Sequence, residues 1–207
     1  MSTQQALLVI DIQNDFCPGG ALEVVDGDKI VPLVNSLMTR FPLIAATQDW
    51  HPPDQISFAS QHSGKKPFDT IQIEDYEQTL WPDHCVAGTR GAEFHNDLNT
   101  EKFNLILRKG TDSKIDSYSA FMENDGRTLT GLAGYLSALK VEEVFICGLA
   151  TNFCVMFSAL DAVDSGFKTN LIADSCRGID TPPGAVVESI ETMKKKGVNI
   201  IQSRDIL

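Results

Sequence analysis

Short apolar runs, rich in residues that favour strands, alternate along the chain with longer segments of helical periodicity. The apolar runs lie at residues 6–12, 43–47, 104–107, 144–147, 168–173 and 198–201. Uninterrupted apolar runs are typical of strands covered on both faces, and strands that alternate with helices pair in parallel. The alternation therefore predicts an α/β fold, a doubly wound three-layer α/β/α sandwich around a mostly parallel sheet of about six strands.

A long segment without a clear period interrupts this alternation at about residues 52–103. Loops longer than about 12–15 residues in a compact domain are usually functional or disordered. This one contains Trp81, His84 and Cys85, so we expect a functional insertion. The chain of 207 residues suits one domain over residues 1–207 that carries this insertion.

The charge balance limits the class of partner. The net charge is −11 and the pI is about 4.7, which argues against nucleic acid and anionic membranes and favours a small-molecule substrate. No apolar run approaches the roughly 18 residues that a membrane span needs. The five cysteines are widely spaced, an arrangement typical of reduced thiols in a cytoplasmic protein. The oligomeric state stays open, a homo-oligomer included.

Residues 144–155 predict a buried strand, a tight turn and the start of a helix over about 152–164. Thr151 or Asn152 is a suitable helix cap. Cys154 then falls in the first helical turn, where free N–H groups and the helix dipole favour a thiolate. The pattern predicts a nucleophilic Cys154, although a small buried cysteine of purely structural role is the common alternative.

Four reactive residues lie at or just after the ends of four different predicted strands: Asp11, Asp49, Lys109 and Cys154. Ligands of parallel sheets bind outside the carboxyl ends of the strands. We therefore expect a base, a cation and a thiol nucleophile at one edge of the sheet. Taken singly, Asp11 is equally well explained as a turn cap and Lys109 as a solvated strand-end residue.

A second group of residues has the composition of a metal site. Asp49 and His51 are two positions apart and project to one side of an extended segment, and His84 comes from the insertion. One carboxylate and two imidazoles suit Zn²⁺, with Mn²⁺ or Fe²⁺ as alternatives. Near these residues Phe16, Trp81 and Tyr118 could line an aromatic pocket or simply pack in the core.

Five motifs in chain order resemble those of the nicotinamidase/pyrazinamidase branch of the isochorismatase-like cysteine hydrolases. They are DIQNDF at 11–16 with PGG at 18–20, QDWH at 48–51, WPxHC at 81–85, KG at 109–110 with YSAF at 118–121, and GxATNxCV at 148–155. One such motif is unspecific, whereas five in order over nearly the whole chain are specific.

The resemblance implies roles for individual residues. It implies a catalytic triad of Asp11, Lys109 and Cys154, and metal ligands Asp49, His51 and His84. It implies a contact between Ser57 and metal-bound water, a cis peptide bond between Leu149 and Ala150, and an oxyanion hole formed by the N–H groups of Ala150 and Cys154. The substrate ring is expected against Phe16, Trp81, Tyr118 and Ala150.

The implied activity is hydrolysis of nicotinamide to nicotinate and ammonia through a cysteine thioester, as a step of NAD salvage, with pyrazinamide as a further substrate. One alternative is a related cysteine amidohydrolase acting on a ureido or carbamoyl substrate, which needs no metal for a ring nitrogen. A second is a metallohydrolase in which Cys154 is structural. A third is a flavodoxin-like binding module without catalysis.

Overall fold

Eight strands are present in the computed structural model, which describes residues 4–207. Their bounds are β1 Gln4–Ile10, β2 Ile44–Asp49, β3 Thr70–Ile73, β4 Tyr76–Thr79, β5 Leu105–Lys109, β6 Val141–Leu149, β7 Lys168–Arg177 and β8 Asn199–Ile201. Six of them form one sheet in the order β5-β2-β1-β6-β7-β8. Every neighbouring pair in that sheet is parallel, so the predicted fold class is confirmed.

Four α-helices connect and cover these strands, namely α1 Val31–Leu37, α2 Leu132–Ala138, α3 Met156–Asp164 and α4 Ala185–Lys196. In the described part of the chain, none is long and apolar enough to cross a membrane. The apolar side chains of β1 and β6 are almost fully buried and belong to one large hydrophobic cluster. Burial on both sheet faces explains the uninterrupted apolar runs of these strands.

The connection order changes direction between β1 and β6. The three strands of the first half run outward from β1 on one side, and the three of the second half run outward from β6 on the other. A crevice opens at the carboxyl ends of two strands where the connections diverge in this way. Asp11 directly follows β1 and Ala150 directly follows β6, so the chain enters that crevice from both strands.

The insertion is more ordered than its sequence indicates, because β3 and β4 pair as an antiparallel hairpin that the pattern does not reveal. Isolated bridges tie other parts of it to the main body, Gln13 to Phe94 and His51 to Val86, and another joins Phe58 to Trp81 within the insertion. All but one of the hairpin residues are exposed or half-buried, and polar residues on both faces weaken the alternation of apolar and polar side chains. Its short strands therefore lack the clear period-2 signal that marks a half-buried strand.

The helix predicted over residues 152–164 begins later than expected. Residues 151–155 form an irregular turn in which Phe153 has non-helical backbone angles, and α3 begins at Met156. The Asn152 side chain bonds both backbone groups of Ile179 instead of capping a helix. The cap prediction is therefore wrong, because a tertiary partner competes successfully for the side chain.

Gly148 provides a test of the close approach between β1 and β6. Its φ is +123°, and a side-chain Cβ at this position would overlap the carbonyl oxygen of Ile10 on the neighbouring strand. Gly148→Ala is expected to lower the free energy of unfolding by about 2–4 kcal/mol, since it adds backbone strain and a clash at the sheet centre. Urea unfolding followed by circular dichroism measures the change.

The matched control is Gly134→Ala in α2, where an added Cβ meets no atom within 4 Å. Alanine is a better helix former than glycine, so this variant should be unchanged or more stable by about 0.5–1 kcal/mol. Equal stability of the Gly148→Ala variant and the parent protein would contradict the constraint at the β1–β6 contact.

Candidate active site

The parallel register brings four strand ends to one edge of the sheet. Asp49 and Lys109 are the last residues of β2 and β5 and lie opposite each other in the register. Ile10 and Gly148 pair in the same way on β1 and β6, immediately before Asp11 and the turn that carries Cys154. The residues predicted from strand ends therefore do lie together.

Lys109 is the centre of this group and is completely buried. Its ammonium lies 2.9 Å from Oδ2 of Asp11 and also donates to Asp49. It further donates to the carbonyl of Ser117 at 2.9 Å and to Sγ of Cys154 at 3.4 Å. Burial alone would lower the pKa of Lys109, but the two carboxylates raise it well above its ordinary value. The ammonium is thus a fixed positive charge.

Asp11 is equally buried, and its backbone is in the left-handed region with φ of 45°. The Thr47 hydroxyl donates to Oδ1 of Asp11 at 2.7 Å. Burial raises the pKa of Asp11 above its ordinary value, although Lys109 opposes the rise. An oxygen of Asp11 and Sγ of Cys154 lie within 4.8 Å of each other. A carboxyl group with a raised pKa beside a thiol is suited to proton exchange with it.

Cys154 lies near the end of the turn that precedes α3 and lines a cavity. Burial raises the pKa of its thiol well above the ordinary value, and the nearby carboxylates add to the rise while Lys109 opposes it. Cys154 does not lie in the first turn of α3 as expected, because that helix begins two residues later, and burial outweighs Lys109 in its effect on the thiol pKa. The thiol needs a base to ionise it.

Asp49, His51 and His84 form a cluster that could hold a metal ion, with ligand atoms that lie within 4.8 Å of one another. Nδ1 of His51 is 3.0 Å from the carbonyl of Gly110, and Nδ1 of His84 is 2.8 Å from that of Pro82. Each Nδ1–H therefore has an acceptor, which leaves Nε2 of both rings to face the Asp49 carboxylate.

The charges in this cluster depend strongly on one another. Burial alone would raise the pKa of Asp49, but Lys109 and the histidines hold it well below its ordinary value. Burial alone would lower the pKa of His51, yet the Asp49 carboxylate raises it to about 9. Burial and the neighbouring His51 lower the pKa of His84 to about 4. A proton on His51 thus offsets part of the negative charge of Asp49, as a bound cation would.

The residues present fit a divalent transition metal. One carboxylate and two imidazole nitrogens form a donor set that leaves positions open, as zinc sites with a substrate or water ligand do. The hydroxyl of Ser57 is fully buried and has no hydrogen-bond partner within the described residues. Buried hydroxyls are rarely left unpaired, so this orphaned group fits a contact with metal-bound water.

The aromatic residues predicted for the substrate pocket all line one cavity, together with Ala150 and Cys154. The Trp81 and Tyr118 rings meet edge to face with centroids 6.1 Å apart, and Phe153 lies edge-on to both. Phe16 contacts the edge of the His84 ring. Asp49 and His84 also line the cavity, so the metal cluster and the thiol open into the same space.

Four cavity residues were missed by sequence reasoning: Leu22, Asp116, Phe153 and Ile179. Leu22 and Ile179 follow from no local pattern, because they are carried by irregular segments. Phe153 precedes the nucleophile candidate and could have been suspected from that position. Asp116 is 2% exposed, and its Oδ1 is 3.9 Å from Nε2 of His51. The peptide bond between Leu149 and Ala150 is cis, as the resemblance implies.

Comparisons with known proteins identify chains of similar sequence. The model of the isochorismatase domain matches residues 5–205. The nicotinamidase of Acinetobacter baylyi is 50% identical over 98% of this chain and 94% of its own. That of Escherichia coli is 40% identical over 97% of this chain and 96% of its own.

Solved structures show the same likeness. The Acinetobacter baumannii nicotinamidase/pyrazinamidase superposes with a TM-score of 0.97 at 51% identity, over 100% of both chains. An L. infantum protein in complex with nicotinate has a TM-score of 0.87 at 36% identity, over 100% of this chain and 96% of its own. The Pyrococcus horikoshii pyrazinamidase in complex with zinc has a TM-score of 0.79 at 40% identity, over 96% of this chain and 99% of its own. The chain belongs to the isochorismatase family.

Proposed function

We propose that this protein is an amidohydrolase that converts nicotinamide to nicotinate and ammonia. The observation that carries the proposal is one aromatic cavity with a buried thiol and a possible metal cluster opening into it. Relatives that are 50% and 40% identical are nicotinamidases, and a structural neighbour binds nicotinate. A flavin-binding module or a ureido amidohydrolase explains neither the paired histidines nor these likenesses.

Asp11 is the proposed base. It takes the proton of Cys154 as the sulfur attacks the amide carbonyl, and Lys109 neutralises the negative charge that Asp11 and the sulfur share. The same carboxyl group then gives the proton to the leaving nitrogen, which departs as ammonia and leaves a thioester. Asp11, ionised again, removes a proton from water, and the resulting hydroxide attacks the thioester. The departing sulfur takes that proton back from Asp11 to restore the thiol, and the released acid loses its own proton to solvent as nicotinate.

The oxyanion of both steps is proposed to accept hydrogen bonds from the N–H groups of Ala150 and Cys154. The carbonyl of Ala150 accepts from the N–H groups of Phe153 and Val155, at 3.0 and 3.2 Å, so the turn between them is held by its own backbone. Preorganised donors of this kind stabilise a developing charge without reorganisation.

Asp49, His51 and His84 are proposed to hold one divalent ion, with Zn²⁺ preferred because a pyrazinamidase neighbour was solved with zinc. When bound, the metal supplies a Lewis acid that accepts the ring nitrogen of the substrate and orients the ring. Phe16, Trp81 and Tyr118 would hold the two faces and the edge of the ring, and Ser57 would bond metal-bound water. We further propose a single catalytic domain that acts in cytoplasmic pyridine-nucleotide salvage and also accepts pyrazinamide.

Replacement of the nucleophile tests the covalent mechanism. Cys154→Ala is expected to reduce kcat by at least about 10⁴-fold, with unchanged fold and metal content, because only the attacking sulfur is lost. Ammonia release measures turnover, and rapid acid quench of the parent enzyme should trap a nicotinoyl adduct on Cys154. Cys147→Ala on β6 is the matched control and should retain activity. Near-parental turnover by Cys154→Ala would support metal-bound water as the nucleophile.

Substrate analogues test the role of the ring nitrogen. Benzamide has the same carboxamide but lacks that nitrogen, so its kcat/KM should be lower by about 10³-fold or more, since a site built for a polar atom is left unpaired. Pyrazinamide keeps a nitrogen at the same place and should stay close to nicotinamide. Equal kcat/KM for benzamide and nicotinamide would exclude the proposed orientation.

The pKa of His51 makes metal affinity depend on pH. In metal-free protein this ring, with a pKa of about 9, carries a proton at neutral pH that a metal ion must displace. The apparent affinity for Zn²⁺ should therefore rise about tenfold per pH unit between about pH 6 and pH 8. Competition with a chelator of known pH dependence measures it. Removing the ligand in His51→Ala should abolish stoichiometric binding, and an affinity independent of pH would contradict the prediction.

A further inference from the structure

Gln78 is a buried polar residue on a hairpin that is otherwise largely exposed. It lies on β4 in the insertion and is 1% exposed, whereas its neighbour Glu77 faces solvent. No residue of the pairing strand β3 is buried. A buried amide in such a strand needs hydrogen-bond partners, and those partners show what the side chain does.

The amide of Gln78 joins several parts of the chain. Its Nε2 is 3.0 Å from the hydroxyl of Tyr118, 3.2 Å from Oδ2 of Asp116 and 2.7 Å from the carbonyl of Thr79. Its Oε1 accepts from Nδ2 of Asn124 at 2.9 Å. Both ends of the amide are therefore satisfied, and the orientation of the side chain is fixed.

Two of these partners line the substrate cavity. The Tyr118 hydroxyl that Gln78 reaches also accepts from Nε1 of Trp81 at 3.0 Å. The Tyr118 and Trp81 rings also meet aromatic edges, with each other and with Phe153, while Tyr118 packs against Phe157 and Trp81 against Phe68. Edge contacts tolerate sliding and tilting, whereas two N–H groups that converge on one hydroxyl fix its position.

We propose that Gln78 is a positioning residue that sets the geometry of the aromatic wall formed by Trp81, Tyr118 and Phe153, and thereby the affinity and selectivity for the substrate ring. The inference rests on the proposed function, because it assumes that a pyridine ring fills this cavity. The insertion thus contributes His84 as a metal-ligand candidate, Trp81 as part of the wall, and Gln78 on the hairpin that bonds the wall.

The effect should appear in binding rather than in the chemical step. The side chain of Gln78 makes its hydrogen bonds to Thr79, Asp116, Tyr118 and Asn124 and to none of Asp11, Lys109 and Cys154, and it is not part of the metal cluster. Removing its donors leaves the Tyr118 hydroxyl and the Asp116 carboxylate less well paired, and the cavity wall is free to shift. A loss of ground-state and transition-state binding in equal measure raises KM with little change in kcat.

Gln78→Met is the test variant, because methionine has similar length and volume but no donor. Gln72→Met is the matched control, since Gln72 is on the same hairpin, is exposed and bonds only to the nearby carbonyl of Glu74. We expect KM for nicotinamide to rise about tenfold in Gln78→Met, with kcat within about threefold and an unchanged metal content. The control should match the parent enzyme.

Direct binding separates this inference from the proposed function. In the Cys154→Ala background, which cannot turn over substrate, calorimetry should give a Kd for nicotinamide about tenfold weaker when Gln78→Met is added. Absence of nicotinamide binding in Cys154→Ala alone would argue against the proposed function. Normal binding that Gln78→Met leaves within twofold would overturn the role of Gln78 while leaving the function intact.

A double-mutant cycle with Tyr118→Phe identifies the route of action. If Gln78 acts through the Tyr118 hydroxyl, Tyr118→Phe alone should weaken binding, and Gln78→Met should then weaken it further by less than about threefold. Fully additive effects would overturn this route, as would loss of the metal in Gln78→Met. If Gln78→Met does not fold, Gln78→Glu and Tyr118→Phe provide the same readout. Parental Kd values in both of those variants would overturn the inference.

Discussion

The buried ammonium of Lys109 is the interaction on which the rest of the site depends. It is fully excluded from solvent and contacts the carboxylates of Asp11 and Asp49 as well as the sulfur of Cys154. An unpaired buried charge costs several kcal/mol, and removing one partner of such a group is strongly destabilising. Lys109 and these three groups therefore stabilise one another, and removing any of them leaves a buried group without its partner.

Asp49 connects the two halves of the site through this contact. One of its oxygens accepts from Lys109, and the other faces Nε2 of His51 and His84. Its backbone is held by Gln13, which exchanges two hydrogen bonds of 2.8 Å with it. A single carboxylate thus contacts both the ammonium beside the thiol and the two histidines.

The supporting residues come from the loops and from the insertion. Asp15 accepts from the backbone N–H of Cys85 at 2.7 Å, which fixes the segment that carries His84. Gly110 has no side chain, and a Cβ there would overlap the His51 ring. Gln78 reaches the aromatic wall from the hairpin. These contacts hold reactive groups on rigid strand ends while irregular segments complete the cavity.

The fold class and most members of the candidate site follow from the amino-acid sequence alone. Apolar runs that alternate with helical segments allow few topologies, and parallel strands place their carboxyl ends at one edge of the sheet. Asp11, Asp49, Lys109 and Cys154 are therefore grouped by their positions along the chain. The residues themselves also predict a base, a cation and a thiol nucleophile, whereas Ser57 and the oxyanion donors rely on the resemblance. All of these roles remain proposals.

Other features depend on tertiary packing, because local pattern does not encode them. They include the hairpin at β3 and β4, the late start of α3 at Met156 and the inward direction of Gln78 and Asp116. Short polar strands show no strong alternation of apolar and polar residues. The local sequence around Asn152 allows it to cap a helix and does not reveal its distant partner Ile179. The choice between such alternatives depends on partners that are distant in sequence, so it is decided by tertiary packing.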